Sequence, residues 1–502
     1  MSTSDSAARG DDVNATNALH EVAEAAAEVS PEMSLPSSIL PMPSSVTSSL
    51  SSWWNLSPKQ TAEAEFYLMS KSGFFQGATL GNARACTTDG PDALAEAYEL
   101  VQKKSPPTEP SDKQNQFMTV GVEPGAEGRV GCIRLVDIGP PPPGSSRAGL
   151  LNSMGLCRTK RLVNTLEIGT PVRVEDQPKD EQKIVLVHGY AAGSAFFFKN
   201  FGMFGSQPNT RFFALDWLGM GRSSRPPYAL PRTNARSAER VEAAENFFLT
   251  SLEQWREKMK IEKMVLVGHS LGGYLSMAYA LKHPERVEKL VLVSPVGIPE
   301  GSWDIRAGEE QAKRDAEQPK SPELERSPSP ASVSSNTSTH AQPPRRFGSR
   351  MLGVLGWLWD RNVSIFGIIR STSFFGPLLI SGYTRNRFGN IAPDELLCMH
   401  AYCHGVFSGR GSSEYCLSDI LAPGAYARRP MLHRVSPLKM PVSFLYGDKD
   451  WMDVNGGIDA KRLINKAGNP NARVYIVPKA GHHLYLDNAK EFNKLLHKLL
   501  HR

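Results

Sequence analysis

A serine flanked by glycines is the residue of this chain best suited to covalent chemistry. Gly268, Ser270 and Gly272 form a Gly-x-Ser-x-Gly pattern that follows the apolar run 264–267 and precedes the helix-compatible stretch 275–282. A sharp turn between a strand and a helix leaves no room for side chains beside the serine, which explains the glycines. A glycine-rich turn with an incidental serine is the alternative. Because both flanks have the required character, we predict that Ser270 is an activated nucleophile.

A nucleophilic serine needs a base, and the base needs an acid that orients it. Two histidines, His482 and His483, follow the late apolar run 474–477, and His482 comes directly after Gly481. We therefore predict that His482 is the base. The carboxylates that follow the preceding apolar run are Asp448, Asp450 and Asp453.

Two backbone amides must stabilise the oxyanion that forms when a serine attacks a carbonyl carbon. One is predicted to come from Leu271, directly after the nucleophile. The other is predicted to come from the loop that begins with His188 and Gly189, where Tyr190 or Ala191 supplies the amide. A glycine-rich loop also suits a phosphate, but Gly-Lys-Ser/Thr is absent, so we expect no nucleotide site and no cofactor.

Short apolar runs alternate with helix-like stretches from residue 183 onward. Their lengths and spacing predict an α/β fold with a mostly parallel central sheet and helices on both faces. The predicted core strands are 184–187, 212–215, 264–267, 290–293, 442–446 and 474–477, and earlier strand-like runs lie at 133–136 and 162–168. The stretch 398–404 holds two cysteines and two histidines, but their spacing matches no common zinc site, so we predict a buried helix and no metal.

Composition divides the chain into six segments. Tracts rich in Ser, Pro and charged residues cannot pack a core, whereas apolar tracts can. We predict a disordered N-terminal segment (1–50), a helix with a linker and the first strands (51–180), the first part of the core (181–300), a disordered insertion (301–344), a lid or cap (345–431), and the second part of the core (432–502).

The net charge of +6 is concentrated in one region of the chain. Residues 345–434 contain eleven arginines and no lysine against five acids, and they include short apolar runs. Each run is too short to span a bilayer but suits a bilayer interface, with arginines at the depth of the headgroups. We therefore predict a membrane surface with anionic lipids as a partner, and no nucleic acid. A soluble cap packed on the core is the alternative.

With these residues in hand, the chain resembles a lipid-acting subgroup of α/β-hydrolases, which includes an N-acyl-phosphatidylethanolamine lipase, a lipid-droplet co-activator of triglyceride lipase and a fungal cardiolipin-specific deacylase. The matching stretches are 187–190, 215–223, 268–273, 283–287, 292–295, 427–431, 446–447 and 481–487. The resemblance implies the α/β-hydrolase fold, and the order Ser, acid, His agrees with it. The usual spacing of the acid in that fold favours Asp450, with Asp453 as the alternative.

The resemblance also implies what the site acts on. We expect a membrane-peripheral serine hydrolase that cleaves acyl esters of glycerophospholipids, with cardiolipin or another anionic phospholipid favoured. His482 and Asp487 form a His-x4-Asp pattern that the subgroup associates with acyl transfer to lysophospholipids, and we interpret Asp487 instead as a cap of the last helix. The alternatives are a lysophosphatidic acid acyltransferase and a catalytically weak lipid-droplet adaptor.

The expected location is intracellular and membrane-associated. It is either the mitochondrial inner membrane, as a peripheral protein, or lipid droplets and cytosol. The acidic first 30 residues are unlike a mitochondrial presequence.

Overall fold

A nine-stranded sheet forms the centre of the protein. In a computed structural model, the described residues are 34–78, 89–103, 119–121, 123–141, 160–228, 237–301, 304–305, 358–359 and 361–501. The strands are β1 (Thr119–Val120), β2 (Val130–Asp137), β3 (Leu162–Gly169), β4 (Gln182–Val187), β5 (Thr210–Leu215), β6 (Met264–His269), β7 (Val287–Val293), β8 (Val442–Gly447) and β9 (Ala472–Val477). Their spatial order is β1-β2-β3-β5-β4-β6-β7-β8-β9.

The pairing of the strands is antiparallel at one edge and parallel elsewhere. β1, β2 and β3 pair antiparallel, and β3 pairs antiparallel with β5. From β5 to β9 all neighbours are parallel. The prediction of a mostly parallel sheet is therefore confirmed, and each predicted core strand is present with slightly wider bounds.

Helices cover both faces of this sheet. They are α1 (Val46–Trp54), α2 (Pro58–Ser70), α3 (Ala93–Gln102), α4 (Phe201–Gly205), α5 (Ala238–Lys258), α6 (Leu271–Lys282), α7 (Ile365–Ser371), α8 (Gly376–Phe388), α9 (Pro393–Ser408), α10 (Leu417–Ile420), α11 (Val454–Lys466), α12 (Leu484–Asp487) and α13 (Ala489–Leu500). In β4, Val185 and Val187 pack into one apolar core while Ile184 and Leu186 pack into a second. Strands buried on both faces are continuous apolar runs, which is why the sequence shows them so clearly.

The first helix begins inside the segment that composition predicted to be disordered. α1 starts at Val46 because the Ser45 side chain accepts a hydrogen bond from the Ser48 amide, in a capping box that also satisfies the Ser45 amide. Tertiary contacts then hold the helix: the buried Ser49 hydroxyl donates to the carbonyl O of Phe374, 2.5 Å away. The boundary predicted at residue 50 is therefore too late. The predicted insertion 301–344 lies outside the described residues, apart from 301 and 304–305.

Helices α7 to α10 are inserted in the chain between β7 and β8, in the segment where a lid was predicted. α8 packs against α1, and the Ser381 hydroxyl of α8 donates to the Pro43 carbonyl O at 2.8 Å. No single helix among the described residues has the length and apolar composition needed to cross a membrane. The pair Ile365–Ser371 and Ser373–Phe388, bent by 115°, passes that test only when the two are taken together.

Exposed apolar side chains are concentrated on α1 and the inserted helices. In the described part of the chain, all large exposed apolar residues except Trp451 and Ile476 lie on α1, on α7 and α8, or directly beside these two inserted helices. We call this set the apolar face: Val46, Leu50, Trp53, Trp54, Val363, Ile365, Ile368, Phe375, Leu379 and Tyr383. Soluble monomers seldom leave so many large apolar side chains together in water, so the face indicates an interaction surface.

Candidate active site

Ser270 stands on a strained turn at the carboxyl end of β6. Its φ of 54° and ψ of −116° are unfavourable for a residue with a side chain, and such strain typically costs about 1–3 kcal/mol. The flanking glycines are required by contact, since a Cβ on Gly272 would lie 2.5 Å from the His188 carbonyl O. The Ser270 amide donates to the Val293 carbonyl O at 2.9 Å, which ties the turn to β7. The local structure is the strand–turn–helix that the pattern predicts.

The structure brings the predicted base and acid to this serine. His482 Nε2 lies 3.0 Å from Ser270 Oγ, and His482 Nδ1 lies 3.2 Å from Asp450 Oδ1. Burial by itself would raise the pKa of Asp450. The hydrogen bond and charge of His482 and the other donors to the carboxylate outweigh burial and lower that pKa. An ionised Asp450 accepts the Nδ1 proton and leaves Nε2 free to take a proton from Ser270.

The alternative acid has a different role. Asp453 is the N-cap of α11, and its carboxylate accepts from the Asn455 amide at 2.9 Å. Asp448 accepts from the Ala480 amide at 2.9 Å instead. Of the three carboxylates on this turn, the hydrogen bonds therefore place Asp450 beside His482.

Sequence reasoning missed a serine in this group. The hydroxyl of Ser294 lies 2.5 Å from Asp450 Oδ2 and 2.6 Å from His482 Nδ1. Ser294 follows β7 directly, and β7 pairs with β8, which leads to the turn of Asp450. The signal that could have found it is therefore topological: a polar residue at the end of a parallel strand faces the loops of its neighbours.

The loop predicted to supply the second oxyanion amide lies against the nucleophile. A Cβ on Gly189 would be 2.9 Å from the Ser270 Cβ, so only glycine allows this approach. His188 fixes the loop, because its Nδ1 donates to the Gly189 carbonyl O at 2.7 Å while its Nε2 accepts from the Trp217 amide at 3.1 Å. Tyr190 follows, with its ring 5.2 Å from that of Phe366 in α7.

Leu271 is the first residue of α6, as the prediction requires of an amide donor. Backbone amides in the first turn of a helix have no partner within the helix and favour negative charge. Ala191, the other candidate of the first loop, has a left-handed φ of 57°. The roles of Leu271 and Tyr190 as oxyanion donors remain predictions.

A second histidine supports the backbone of the base. His269 is buried, and its Nε2 donates to the His482 carbonyl O at 3.0 Å. Burial, together with the nearby imidazole of His482, holds the pKa of His269 well below its usual range. A neutral His269 therefore anchors the loop without adding charge beside the base.

His483 and Asp487 connect the same loop to the inserted helix α8. Arg387 of α8 donates to His483 Nδ1 and, at 3.1 Å, to Asp487 Oδ1. Asp487 also accepts from the Gly481 amide at 2.9 Å. The expectation that Asp487 caps the last helix is wrong: the cap of α13 is Asn488, whose side chain accepts from the Glu491 amide.

Several arginines of the inserted region have partners inside the protein. Arg370 pairs with Glu414 at 2.5 Å, Arg387 with Asp487 at 3.1 Å, and Arg434 with Glu245 at 2.6 Å. Arg387 joins α8 to the core, Arg370 joins two parts of the inserted region, and Arg434, just after that region, joins the chain to α5. The placement of arginines of this region at the depth of lipid headgroups stays a prediction.

The sheet, the turn and the hydrogen-bonded serine, histidine and aspartate have the arrangement of the α/β-hydrolase fold. A family model described as the alpha/beta hydrolase fold matches residues 183–489. The chain belongs to this family, as the resemblance predicted.

Known proteins similar to this chain include lipid-acting ones. A protein of Oryza sativa subsp. japonica, described as a probable 1-acylglycerol-3-phosphate O-acyltransferase, is 31% identical over 71% of this chain and 74% of its own length. The human (lyso)-N-acylphosphatidylethanolamine lipase is 30% identical over 70% of this chain and 87% of its own. The predicted resemblance to lipid-acting α/β-hydrolases is thus confirmed. Among solved structures, a bromoperoxidase from Bacillus anthracis is 15% identical, with a TM-score of 0.44 over 74% of this chain and 100% of that chain.

Proposed function

We propose that this protein is a membrane-associated serine hydrolase that cleaves acyl esters of glycerophospholipids. The observation that carries the proposal is the hydrogen-bonded chain from Ser270 Oγ through both nitrogens of His482 to Asp450. This arrangement activates a serine for attack on a carbonyl carbon.

The first half of the reaction forms an acyl-enzyme. Ser270 Oγ attacks the ester carbonyl carbon while His482 Nε2 takes the hydroxyl proton, and Asp450 stabilises the resulting imidazolium. The amides of Leu271 and Tyr190 stabilise the oxyanion. When the tetrahedral intermediate collapses, the C–O bond to the lysolipid breaks and the leaving oxygen takes the proton from His482.

The second half decides between two activities. For hydrolysis, water gives its proton to His482 and attacks the acyl carbon, which releases a fatty acid and restores Ser270. For transfer, the hydroxyl group of a lysophospholipid takes the place of water. The second activity is a candidate here because the similar rice protein is described as a 1-acylglycerol-3-phosphate O-acyltransferase.

The apolar face supports a membrane as the place of reaction. Trp54 is 77% exposed and Ile365 53% exposed, and the helices that carry them contact one another through the turn at Phe375. Aromatic and aliphatic side chains on short helices bind the boundary between headgroups and acyl chains. Trp451, 57% exposed, lies 5.0 Å from His482 between ring centroids, so an apolar group also stands beside the base.

An anionic glycerophospholipid such as cardiolipin remains our first choice of substrate, on the net positive charge of the inserted region. Arg370, Arg387 and Arg434 form internal ion pairs, so fewer cations of this region are available to bind an anionic lipid. A mitochondrial membrane and a lipid droplet both offer a surface of the required kind, and a fluorescent fusion of the full chain would distinguish them.

The test is release of fatty acid from vesicles of cardiolipin, phosphatidylethanolamine or phosphatidylcholine and from triolein emulsions, with Ser270→Ala as the matched control. We expect release that depends on Ser270 and is highest with cardiolipin. A parallel reaction with lysophosphatidic acid and acyl-CoA reports transfer as phosphatidic acid. Equal release of fatty acid by wild type and Ser270→Ala would overturn the proposed serine hydrolase activity. A folded wild type that a fluorophosphonate does not label would indicate a lipid adaptor.

A further inference from the structure

Ser294 occupies the point where the acid and the base of the site meet. Its side chain is completely buried, and its hydroxyl contacts both Asp450 and His482. The distance from His482 Nδ1 to Ser294 Oγ, 2.6 Å, is shorter than the 3.2 Å from Nδ1 to Asp450 Oδ1. The base is therefore held at Nδ1 by two oxygens.

The directions of these hydrogen bonds follow from the number of protons. An ionised carboxylate only accepts, so the single proton of the Ser294 hydroxyl points to Asp450 Oδ2. A lone pair of the same oxygen then faces His482 Nδ1, whose proton is shared between Ser294 and Asp450. A proton fixed on Nδ1 leaves Nε2 as the acceptor for Ser270.

The backbone holds this hydroxyl in place. Ser294 has a left-handed φ of 46°, and its amide donates to the Leu445 carbonyl O of β8 at 2.7 Å. A serine at such a φ is uncommon and indicates a position whose side-chain direction is constrained. Strand β7 thus places Ser294, and strand β8 places Asp450, beside the same atom, His482 Nδ1.

We propose that Ser294 is a positioning residue for this reaction, which orients His482 through Nδ1 and shares the acceptor role with Asp450. The proposal rests on the proposed function, because it concerns how the same base is held. A residue that orients the base acts on the chemical step, so its loss lowers kcat and leaves KM nearly unchanged.

The deleting variant is Ser294→Gly, because glycine adopts a φ of 46° without strain whereas alanine does not. We expect kcat for a soluble ester and the rate of labelling of Ser270 by a fluorophosphonate to fall about tenfold, with KM within twofold. The melting temperature reports whether the variant folds. A Ser294→Gly protein with kcat within twofold of wild type would overturn the proposal.

The second variant gives a gain of activity that a structural role does not predict. Ser294→Asp places a carboxylate at residue 294, and aspartate tolerates a left-handed φ. In the background of Asp450→Ala, we expect Ser294→Asp to raise the labelling rate of Ser270 at least tenfold. If the double variant is labelled no faster than Asp450→Ala alone, the placement of residue 294 beside His482 Nδ1 is overturned.

A spectroscopic measurement separates this proposal from the proposed function. The proton on His482 Nδ1 should give a downfield NMR signal that moves in Ser294→Gly, whether or not the protein turns over a lipid. If the wild-type protein is not labelled at Ser270, the proposed hydrolase activity is contradicted. A signal of the Nδ1 proton that moves in Ser294→Gly would still support the contact of Ser294 with His482. An unchanged Nδ1 signal in Ser294→Gly would overturn that role.

Discussion

Helices α6 and α7 have similar apolar compositions but opposite environments. α6 follows the nucleophile and is buried over most of its length, including Tyr274 and Leu275. In α7, by contrast, the described part of the chain leaves every residue at least partly accessible, with Ile365 and Ile368 exposed. The core covers α6 on all sides, whereas one face of α7 is not covered by any other described residue. The difference teaches that the candidate active site and the face that we propose to bind membranes lie in separate regions.

The two regions are nevertheless in contact, and two of their contacts lie directly beside the site. Tyr190, in the oxyanion loop, contacts Phe366 of α7, and Arg387 of α8 binds the loop of the base through His483 and Asp487. A change at the apolar face can therefore reach the site through these contacts. The following variants separate attachment from chemistry.

The largest effect is expected inside the catalytic region. Asp450→Ala should lower kcat for a soluble ester roughly 10³–10⁴-fold, because His482 loses its charged partner. Asp453→Ala is the matched control on the same turn. It should keep kcat near wild type and lower the free energy of unfolding by about 1 kcal/mol, since it removes only a helix cap. Steady-state kinetics and denaturant unfolding measure both, and a reversed pattern would make Asp453 the acid.

The apolar face should give the next largest effect, on membranes alone. Replacing Trp53 and Trp54 by alanine should weaken binding to phospholipid vesicles at least about 100-fold, because each large side chain contributes roughly 1.5–3 kcal/mol when buried and about 1.4 kcal/mol is tenfold in affinity. Turnover of a soluble ester should not change. Ile476→Ala is the control, since Ile476 is exposed on β9 away from this face. Vesicle co-sedimentation measures the binding, and equal losses in both proteins would argue against a localised face.

A smaller effect is expected at the link between the regions. Arg387→Ala removes hydrogen bonds to His483 and Asp487, so the loop of the base should become less well positioned and kcat should fall roughly fivefold. Arg385→Ala, two residues away on α8, contacts the Pro43 carbonyl O at 3.4 Å and should leave kcat unchanged. If soluble-ester kinetics show no difference between the two variants, the link does not bear on catalysis.

The last effect concerns stability in acid and not catalysis. Burial lowers the pKa of His404 in α9 to about 4, and burial with nearby His404 and Arg385 lowers that of His400 to about 3. An unfolded histidine has a pKa near 6.5, so below that pH the unfolded chain takes up protons that the folded chain does not. Stability is therefore lost as the pH falls from 6.5 toward 4, by about 2 kcal/mol per histidine at pH 5.

His404→Leu tests this directly. The variant keeps an apolar side chain in a buried position and removes the titrating group, so its melting temperature should fall less between pH 7 and pH 5 than that of wild type. Differential scanning calorimetry at the two pH values measures the change. An equal fall in both proteins would assign the acid sensitivity to other groups.

Local patterns were sufficient for part of this description. Runs such as 184–187 are buried on both faces, so hydrophobicity alone located the strands. The turn around Ser270 was also readable, because strain and close contact permit only glycine at its flanks. By contrast, the arginine count does not say which arginines have internal partners, and only the folded chain shows that Arg370 and Arg434 have acidic ones.

The sequence by itself therefore determined the strands, the parallel sheet, one candidate nucleophile and a short set of candidate acids and bases. The tertiary structure decided which carboxylate faces His482, that Asp487 binds Arg387 and not a helix end, and that Ser294 joins the site. The reason is distance along the chain. Composition and periodicity report on neighbours within a few residues, whereas Ser270, Ser294 and Asp450 meet only because parallel strands bring their carboxyl ends to one edge of the sheet.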